Sequence, residues 1–248
     1  MIMKKILLCG ALGKMGRQVA ALAAENGFEI AAGVDFASGS AAPFPVYPGF
    51  DSPIQEAADV IIDFSRPAVL EGLLRYAAGK KLPCVLCSTG YGEKENAMIQ
   101  EASRVIPVFV SANMSQGVYA LKKLIRLAKQ LLPQADIEIV EKHHRYKDDA
   151  PSGTAVALLD ALRDESTNLC YGREGKNTRR QSGEIGVHAV RGGTVCGDHE
   201  VSFFLDDEIV TLTHHAQSRA IFAGGALKAA HFIMDQQPGL YGMEEMMK

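Results

Sequence analysis

Three glycines, Gly10, Gly13 and Gly16, stand between a short apolar run, Ile6 to Cys9, and a stretch of helical periodicity from Arg17 to Glu25. Nothing else in the chain narrows the fold as much. A strand that meets a glycine turn and then a helix leaves the first helical N–H groups, and the positive end of the helix dipole, open to an anion. Glycine lets the backbone turn tightly there and come close to a pyrophosphate. The spacing is G-x-x-G-x-x-G, with Leu12 where the second glycine of G-x-G-x-x-G would stand. Asp35, 19 residues beyond Gly16, ends the second strand. An acidic residue about 20 positions on can bond the ribose hydroxyls of a dinucleotide. A tight turn with no ligand is the plain alternative. The strand–turn–helix context and Asp35 together favour a dinucleotide.

The alternation continues along the first half. Glu29 to Val34, Val60 to Phe64, Cys84 to Cys87 and Val108 to Val110 read as short apolar strands. Between them, Ala68 to Ala78 and Glu93 to Ser103 read as helices, and the Pro-, Gly- and Ser-rich stretch from Ala37 to Pro53 as loop. Short apolar strands alternating with helices indicate a parallel sheet covered on both faces. Near Asn113 the pattern changes. Val118 to Leu132 is an amphipathic helix whose Lys122 to Lys129 charges suit a solvated face, and a further helix follows Pro151. Asp136 to Glu141, Glu184 to Val190, His199 to Leu205 and Glu208 to His214 look like longer strands, and Ala220 to Met234 like a closely packed helix. The expected class is α/β: a Rossmann-like parallel-sheet dinucleotide-binding domain plus an α+β substrate domain with a mostly antiparallel or mixed sheet. The first is expected over residues 1–113 plus 219–248, the second over residues 114–218.

Composition excludes several classes. A net charge of −3 argues against a nucleic-acid-binding surface, which is normally basic. No apolar run approaches the roughly 18–20 residues of a membrane-spanning helix. Met1 to Leu12 faintly imitates a signal peptide, but Lys14 and Arg17 interrupt it, so a cytoplasmic protein is expected. Five cysteines, an odd number in a chain this long, suit reduced thiols. Cys84 and Cys87 have C-x-x-C spacing but no second pair, and read as small buried residues. His188, His199, His214, His215 and His231 show no metal-ligand spacing, so core or surface roles and no metal are expected; a carboxylate facing one of His214 and His215 is the weaker rival. Arg173, Lys176, Arg179 and Arg180 make a basic loop whose default reading is solvated, with a substrate-steering lid as its rival.

The densest chemistry lies from Glu141 to Ala155, E-K-H-H-R-Y-K-D-D-A-P-S-G-T-A. In extended chain His143, Arg145 and Lys147 would share one face. Pro151 and Ser152 suit the opening of a helix, and Gly153 lets a ligand approach its N-terminal amides. Cations and helix-end donors then converge on one spot, suited to a small molecule carrying carboxylates. Two adjacent histidines by themselves are more often surface or packed residues.

E-x-H-H-x-x-K-x-D-A-P-S-G-T-A resembles the catalytic segment of the 4-hydroxy-tetrahydrodipicolinate reductase (dihydrodipicolinate reductase) family. The resemblance runs through Gly10 to Arg17, Asp63-Phe64-Ser65, Ser88-Thr89-Gly90, Ser111 to Ser115, Gly197 to Glu200 and Ser218-Arg219, nearly the whole chain. It implies that His143 is an acid/base residue and Lys147 the proton donor, and that His144, Gly153 and Thr154 bind the substrate's carboxylates. It also implies cofactor contacts at Gly10, Ala11, Leu12, Gly13, Lys14, Met15, Asp35, Cys87, Ser88, Thr89, Ser111, Ala112, Asn113 and Met114. Cys87 departs from a frequent glycine, and Phe36 from members carrying arginine. The implied reaction reduces (2S,4S)-4-hydroxy-2,3,4,5-tetrahydrodipicolinate to tetrahydrodipicolinate with loss of water, in lysine and diaminopimelate synthesis. A homotetramer built through the sheets of the second domain is implied too. If His143 and His144 both touch substrate, the segment must bend.

Asp35 should repel a 2′-phosphate and Phe36 offers no cation, so NADH is expected over NADPH. NADPH use is the rival, because Lys14 or Arg17 can reach that phosphate. Other functions to be separated are a different nicotinamide-dependent amino-acid or imine oxidoreductase and a non-catalytic NAD-binding sensor. A metal hydrolase would need ligands the chain does not clearly supply.

Overall fold

The computed structural model describes residues 3–36 and 42–248. The expected loop from Ala37 to Pro53 therefore lies outside the described residues between positions 37 and 41, as do positions 1 and 2 of the signal-like opening. The chain divides into two compact units, Met1–Ser115 with Arg219–Lys248, and Gln116–Ser218.

In chain order the first unit contributes β1 (Lys4–Cys9), α1 (Lys14–Ala23), β2 (Phe28–Val34), β3 (Val46–Tyr47), β4 (Val60–Asp63), α2 (Leu70–Lys80), β5 (Cys84–Leu86), α3 (Glu93–Ser103) and β6 (Pro107–Val110). The second unit holds α4 (Gln116–Leu131), β7 (Asp136–His143), α5 (Gly153–Leu162), β8 (Asn168–Cys170), β9 (Glu184–Arg191), β10 (Gly197–Phe204) and β11 (Ile209–Ala216). The chain then returns to the first unit with α6 (Ala220–Met234), β12 (Gly239–Tyr241) and α7 (Met243–Met246).

The first sheet runs β12-β6-β5-β4-β1-β2-β3, and every pairing in it is parallel. Its strands are buried on both faces, which is why β1 and β4 are continuous apolar runs rather than alternating ones. One face packs Leu70, Leu73, Leu74 and Ala77 of α2 and Ile99 of α3 against Leu7, Ile61, Leu86 and Val108. α1 and α6 pack on each other, and α6 also meets β4, β5 and β6. β2 lies on one side of β1 and β4 on the other, so the winding reverses at β1, where ligands bind in open parallel sheets. The short β3, β8 and β12, absent from the sequence expectation, carry too few residues for any periodicity.

The second sheet runs β11-β10-β7-β9-β8 and is mixed: β10 is antiparallel to β11 and β7, while β9 is parallel to β7 and β8. One face carries the core. Ile137 and Ile139, Ile185 and Val187, and Val201 and Phe203 pack beneath Leu121 and Ile125 of α4 and Ala155, Leu158, Leu159 and Leu162 of α5. No helix among the described residues is long and apolar enough to cross a membrane.

Candidate active site

In the first unit, the parallel strands bring their carboxyl ends to one edge of the sheet. The expected cofactor residues follow those ends: Gly10 to Met15 after β1, Asp35 after β2, Cys87 to Thr89 after β5, and Ser111 to Met114 after β6. Gly10 has φ 75°, and a Cβ there would fall 2.5 Å from the Phe64 carbonyl oxygen. A Cβ on Gly16 would lie 2.2 Å from the Gly10 oxygen, so only glycine lets α1 sit this close to the turn. α1 opens three residues earlier than its periodicity suggested, because Gly13 caps it without a side chain. The amides of its first turn therefore meet no capping side chain, as a bound pyrophosphate requires. Asp35 accepts a hydrogen bond from Leu12 N–H at 2.9 Å, which ties the end of β2 to the turn. Arg17 Nε donates to the Leu12 oxygen at 3.0 Å. Phe36 is exposed.

Asp63, buried at the end of β4, organises the neighbouring ends. It accepts from Ser65 N and Oγ, from Ser88 Oγ at 2.8 Å and from Tyr91 Oη at 3.2 Å. The Cys87 side chain is buried, and burial together with the Asp63 charge pushes its thiol up, so it is a neutral packing group. Ser111 Oγ donates to the Asn113 oxygen at 2.7 Å and Asn113 Oδ1 accepts from Ser115 N at 2.9 Å, closing a compact turn after β6.

In the second unit, β7 alternates, so Ile137, Ile139, Glu141 and His143 share its inner face. Glu141 is fully buried, and His143 nearly so. His143 Nδ1 lies 2.5 Å from Glu141 Oε2. Arg191 sits opposite His143 in the β7–β9 ladder and reaches back to donate to both Glu141 oxygens, at 2.7 Å each. Ser152 N donates to Glu141 Oε1 at 3.0 Å. Burial would raise the Glu141 carboxyl, but Arg191, His143 and Ser152 outweigh it and hold the group below the usual carboxylate value. On the other side of β7, a Cβ on Gly197 would fall 2.9 Å from His143 Nε2, so the ring fits because that position is bare.

The chain bends directly after His143. Lys147 N–H donates to the His144 oxygen at 3.2 Å, and His144 and Arg145 pair through their amides with Val195 and Gly193. The expectation that His143, Arg145 and Lys147 line one extended face is corrected: the strand ends at His143 and a turn follows. Lys147 Nζ is held by Asp149 Oδ1 at 2.7 Å. Ser152 then caps α5, its Oγ accepting from Ala155 N at 3.1 Å, with Gly153 and Thr154 in the first turn. Nothing would lie within 4 Å of a Cβ on Gly153, so the approach to these amides is open.

Glu141, Arg191, Ser152 and His199 carry this geometry and were not among the expected site residues. His199 packs edge-on against His143 with ring centroids 5.2 Å apart, and its Nε2 lies 2.9 Å from Ser152 Oγ. Burial, then the neighbouring His143, lowers its pKa to about 4. The E-x-H alternation signalled Glu141; nothing local signalled Arg191. His215 faces Asp198 at 3.3 Å. The basic loop is not simply solvated: Arg173 binds Glu138 and Glu184, and Arg180 binds Asp136 and Glu138. Among the described residues no cluster of three or more His, Cys, Asp or Glu side chains has the makings of a metal site.

Residues 4–114 match the family described as "Dihydrodipicolinate reductase, N-terminus", and residues 117–247 the one described as "Dihydrodipicolinate reductase, C-terminus". A 4-hydroxy-tetrahydrodipicolinate reductase of Caldanaerobacter subterraneus subsp. tengcongensis is 47% identical, the match covering 100% of this chain and 99% of that protein. One from Clostridium tetani is 45% identical over 99% of this chain and 98% of its own. Among solved structures, dipicolinate-bound dihydrodipicolinate reductase from Paenisporosarcina sp. TG-14 shares the fold, with a TM-score of 0.80 at 22% identity over 98% of this chain and 99% of that one. An amine dehydrogenase from Mycobacterium smegmatis has a TM-score of 0.63 at 10% identity, covering 97% of this chain and 95% of its own. With both halves matched in order and full-length relatives this similar, the chain belongs to the dihydrodipicolinate reductase family.

Proposed function

We propose that the chain reduces (2S,4S)-4-hydroxy-2,3,4,5-tetrahydrodipicolinate to tetrahydrodipicolinate with loss of water, at the expense of a reduced pyridine nucleotide, in lysine and diaminopimelate synthesis. The observation that carries this reading is the second unit's cluster, where an imidazole, an ammonium and the first turn of α5, bare at Gly153, all lie within residues 143–154. Such a cluster suits a small molecule carrying carboxylates.

The first unit is the dinucleotide-binding domain and the second the substrate-binding and oligomerisation domain. Gly10, Ala11, Leu12, Gly13, Lys14 and Met15 hold the pyrophosphate at the amides of α1, and Asp35 bonds the adenosine ribose. Cys87, Ser88, Thr89, Ser111, Ala112, Asn113 and Met114, at the ends of β5 and β6, contact the rest of the cofactor. The nucleotide supplies a hydride. In the second unit His144, Gly153 and Thr154 bind the substrate's carboxylates. Loss of water from the substrate leaves a conjugated dihydropyridine as the acceptor. Negative charge grows on it as it is reduced, so a nearby cation stabilises the transition state more than the ground state. Lys147 delivers the proton that completes the reduction. His143 assists that proton transfer or holds the ring and its charge.

NADH is preferred over NADPH. What supports this is Asp35 at the end of β2 and the exposed, uncharged Phe36 after it. The protein is a cytoplasmic homotetramer. Support comes from five cysteines free of disulfides, and from Val190, Phe204 and Ile209, which lie exposed on the sheet face turned away from α4 and α5. The test of function is to mix the purified protein with NADH and the condensation product of pyruvate and aspartate semialdehyde. Loss of nicotinamide absorbance that needs both components is expected. Turnover of other imines but not of this product overturns the reading.

A further inference from the structure

We propose that Glu141, clamped by Arg191, is the positioning residue that sets the tautomer of His143 and locks the start of α5 to that ring. The inference rests on the reading of His143 as an acid/base residue and names the group that prepares it.

A carboxylate with no exposed surface is costly unless its lone pairs are filled. Glu141 accepts from Arg191 twice, from Ser152 N, and from His143 Nδ1. The bidentate arginine neutralises the charge and leaves lone pairs still to be filled. The two remaining bonds go to functional pieces: the imidazole and the residue that caps α5. Arg191 also donates to the Asp149 oxygen at 2.7 Å, beside the carboxylate that holds Lys147. One ion pair thus touches the segments carrying His143, Lys147 and Gly153. The ladder explains the convergence, because His143 pairs with Arg191 on one side and Glu141 lies opposite His199 on the other.

The tautomer follows from hydrogen-bond chemistry. An ionised carboxylate only accepts, so the proton must sit on Nδ1 whenever the ring is neutral. Nε2 is then the nitrogen at which a proton can be taken up or released. An isosteric Glu141→Gln reverses this. Its amide has one accepting oxygen, and the Oε1 side faces two donors, Ser152 N and Arg191 Nη2. With the oxygen there, the NH2 meets only one other donor, Arg191 Nη1, and can donate to His143 Nδ1. The opposite orientation sets NH2 against both Ser152 N and Arg191 Nη2. The first orientation wins, and it drives the proton to Nε2.

The experiment uses full-length protein labelled with ¹⁵N-histidine, observed by long-range proton–nitrogen correlation at alkaline pH where histidines are neutral, with His143→Ala assigning the signal. Expected in the wild type is a protonated Nδ1 and a bare Nε2; in Glu141→Gln the pattern inverts, and kcat falls about ten- to a hundredfold with NADH affinity retained. A wild-type ring protonated on Nε2 overturns the proposal whether or not the variant folds. So does a Glu141→Gln protein with unchanged tautomer and near-normal kcat. Full activity in His143→Ala would instead remove the catalytic role of His143 while leaving the tautomer result standing, so the two failures are distinct.

Discussion

The Lys147 ammonium donates to the Asp149 carboxylate at 2.7 Å, with the lysine side chain 19% exposed and the aspartate 59%. The pair spans two residues of the turn that follows β7, so the cation is aimed by its own loop. Lys147, with burial opposing and Arg191 assisting, holds the Asp149 carboxyl below its ordinary value. We expect Lys147→Ala to lower kcat by roughly a hundredfold or more, as loss of a proton donor does, while NADH affinity barely changes. Asp149→Asn keeps the cation and loses only its anchor, so kcat should fall by less than about tenfold. Steady-state kinetics of the two variants decide it. Equal losses would mean that the ion pair, rather than the ammonium, is the working unit.

The proposed preference for NADH rests on the end of β2. Asp35 is tied to the glycine turn through Leu12 N–H, and the next side chain, Phe36, is 71% exposed. Phe36→Arg should therefore leave the fold intact and place a cation where a 2′-phosphate would sit. The expected outcome is a rise of about tenfold or more in the NADPH-to-NADH ratio of kcat/KM, equivalent to ~1.4 kcal/mol. An unchanged ratio would show that Lys14 or Arg17 already serves that phosphate.

How much of this was legible in the sequence depends on how far each signal travels along the chain. The glycine turn, the helices Glu93–Ser103 and Ala220–Met234 and the alternating strand before His143 are local patterns, and they survive folding unchanged. Strands of two or three residues such as β3 and β12 exist only because a neighbour's backbone is there to pair with. Glu141 was half visible: E-x-H on a strand places both side chains on one face. Its arginine was not. Arg191 stands 50 residues away in sequence and arrives only through the parallel pairing of β7 with β9. Arg173 and Arg180 mislead for the same reason, since their acidic partners Glu138 and Asp136 lie on β7, far upstream.

Two adjacent glycines of α6 should behave oppositely. A Cβ on Gly225 would lie 1.9 Å from the Met114 carbonyl oxygen, whereas one on Gly224 would have nothing within 4 Å. Gly225→Ala must push α6 away from the turn after β6 and should cost about 1–3 kcal/mol. It should also weaken NADH binding, because that turn carries Ser111 to Met114. Gly224→Ala removes a flexible residue from a helix interior and should stabilise by roughly 0.5–1 kcal/mol. Urea midpoints and NADH titration of both variants test this. Equal destabilisation would contradict the close packing of α6 on Met114.

His199 predicts how stability responds to acid. Burial, then the neighbouring His143, lowers its folded pKa to about 4, against an ordinary value of 6.5. Between those two pH values the unfolded chain binds a proton that the folded protein refuses, so stability rises with pH across the window and is lost as pH falls through it. A shift of this size corresponds to about 3 kcal/mol, present above pH 6.5 and gone below pH 4. Glu141, also held low, acts in the same direction but only below the ordinary glutamate range. Replacing His199 with glutamine keeps a group able to bond Ser152 Oγ and removes the titration. The variant should therefore lose the part of the slope between pH 6.5 and 4.5 that His199 supplies, while His214, also lowered by burial, keeps its own part. Urea unfolding measured at half-unit pH steps reads both slopes. A wild-type curve that is flat from pH 7 to 5 would mean that His199 takes up its proton without leaving the folded state.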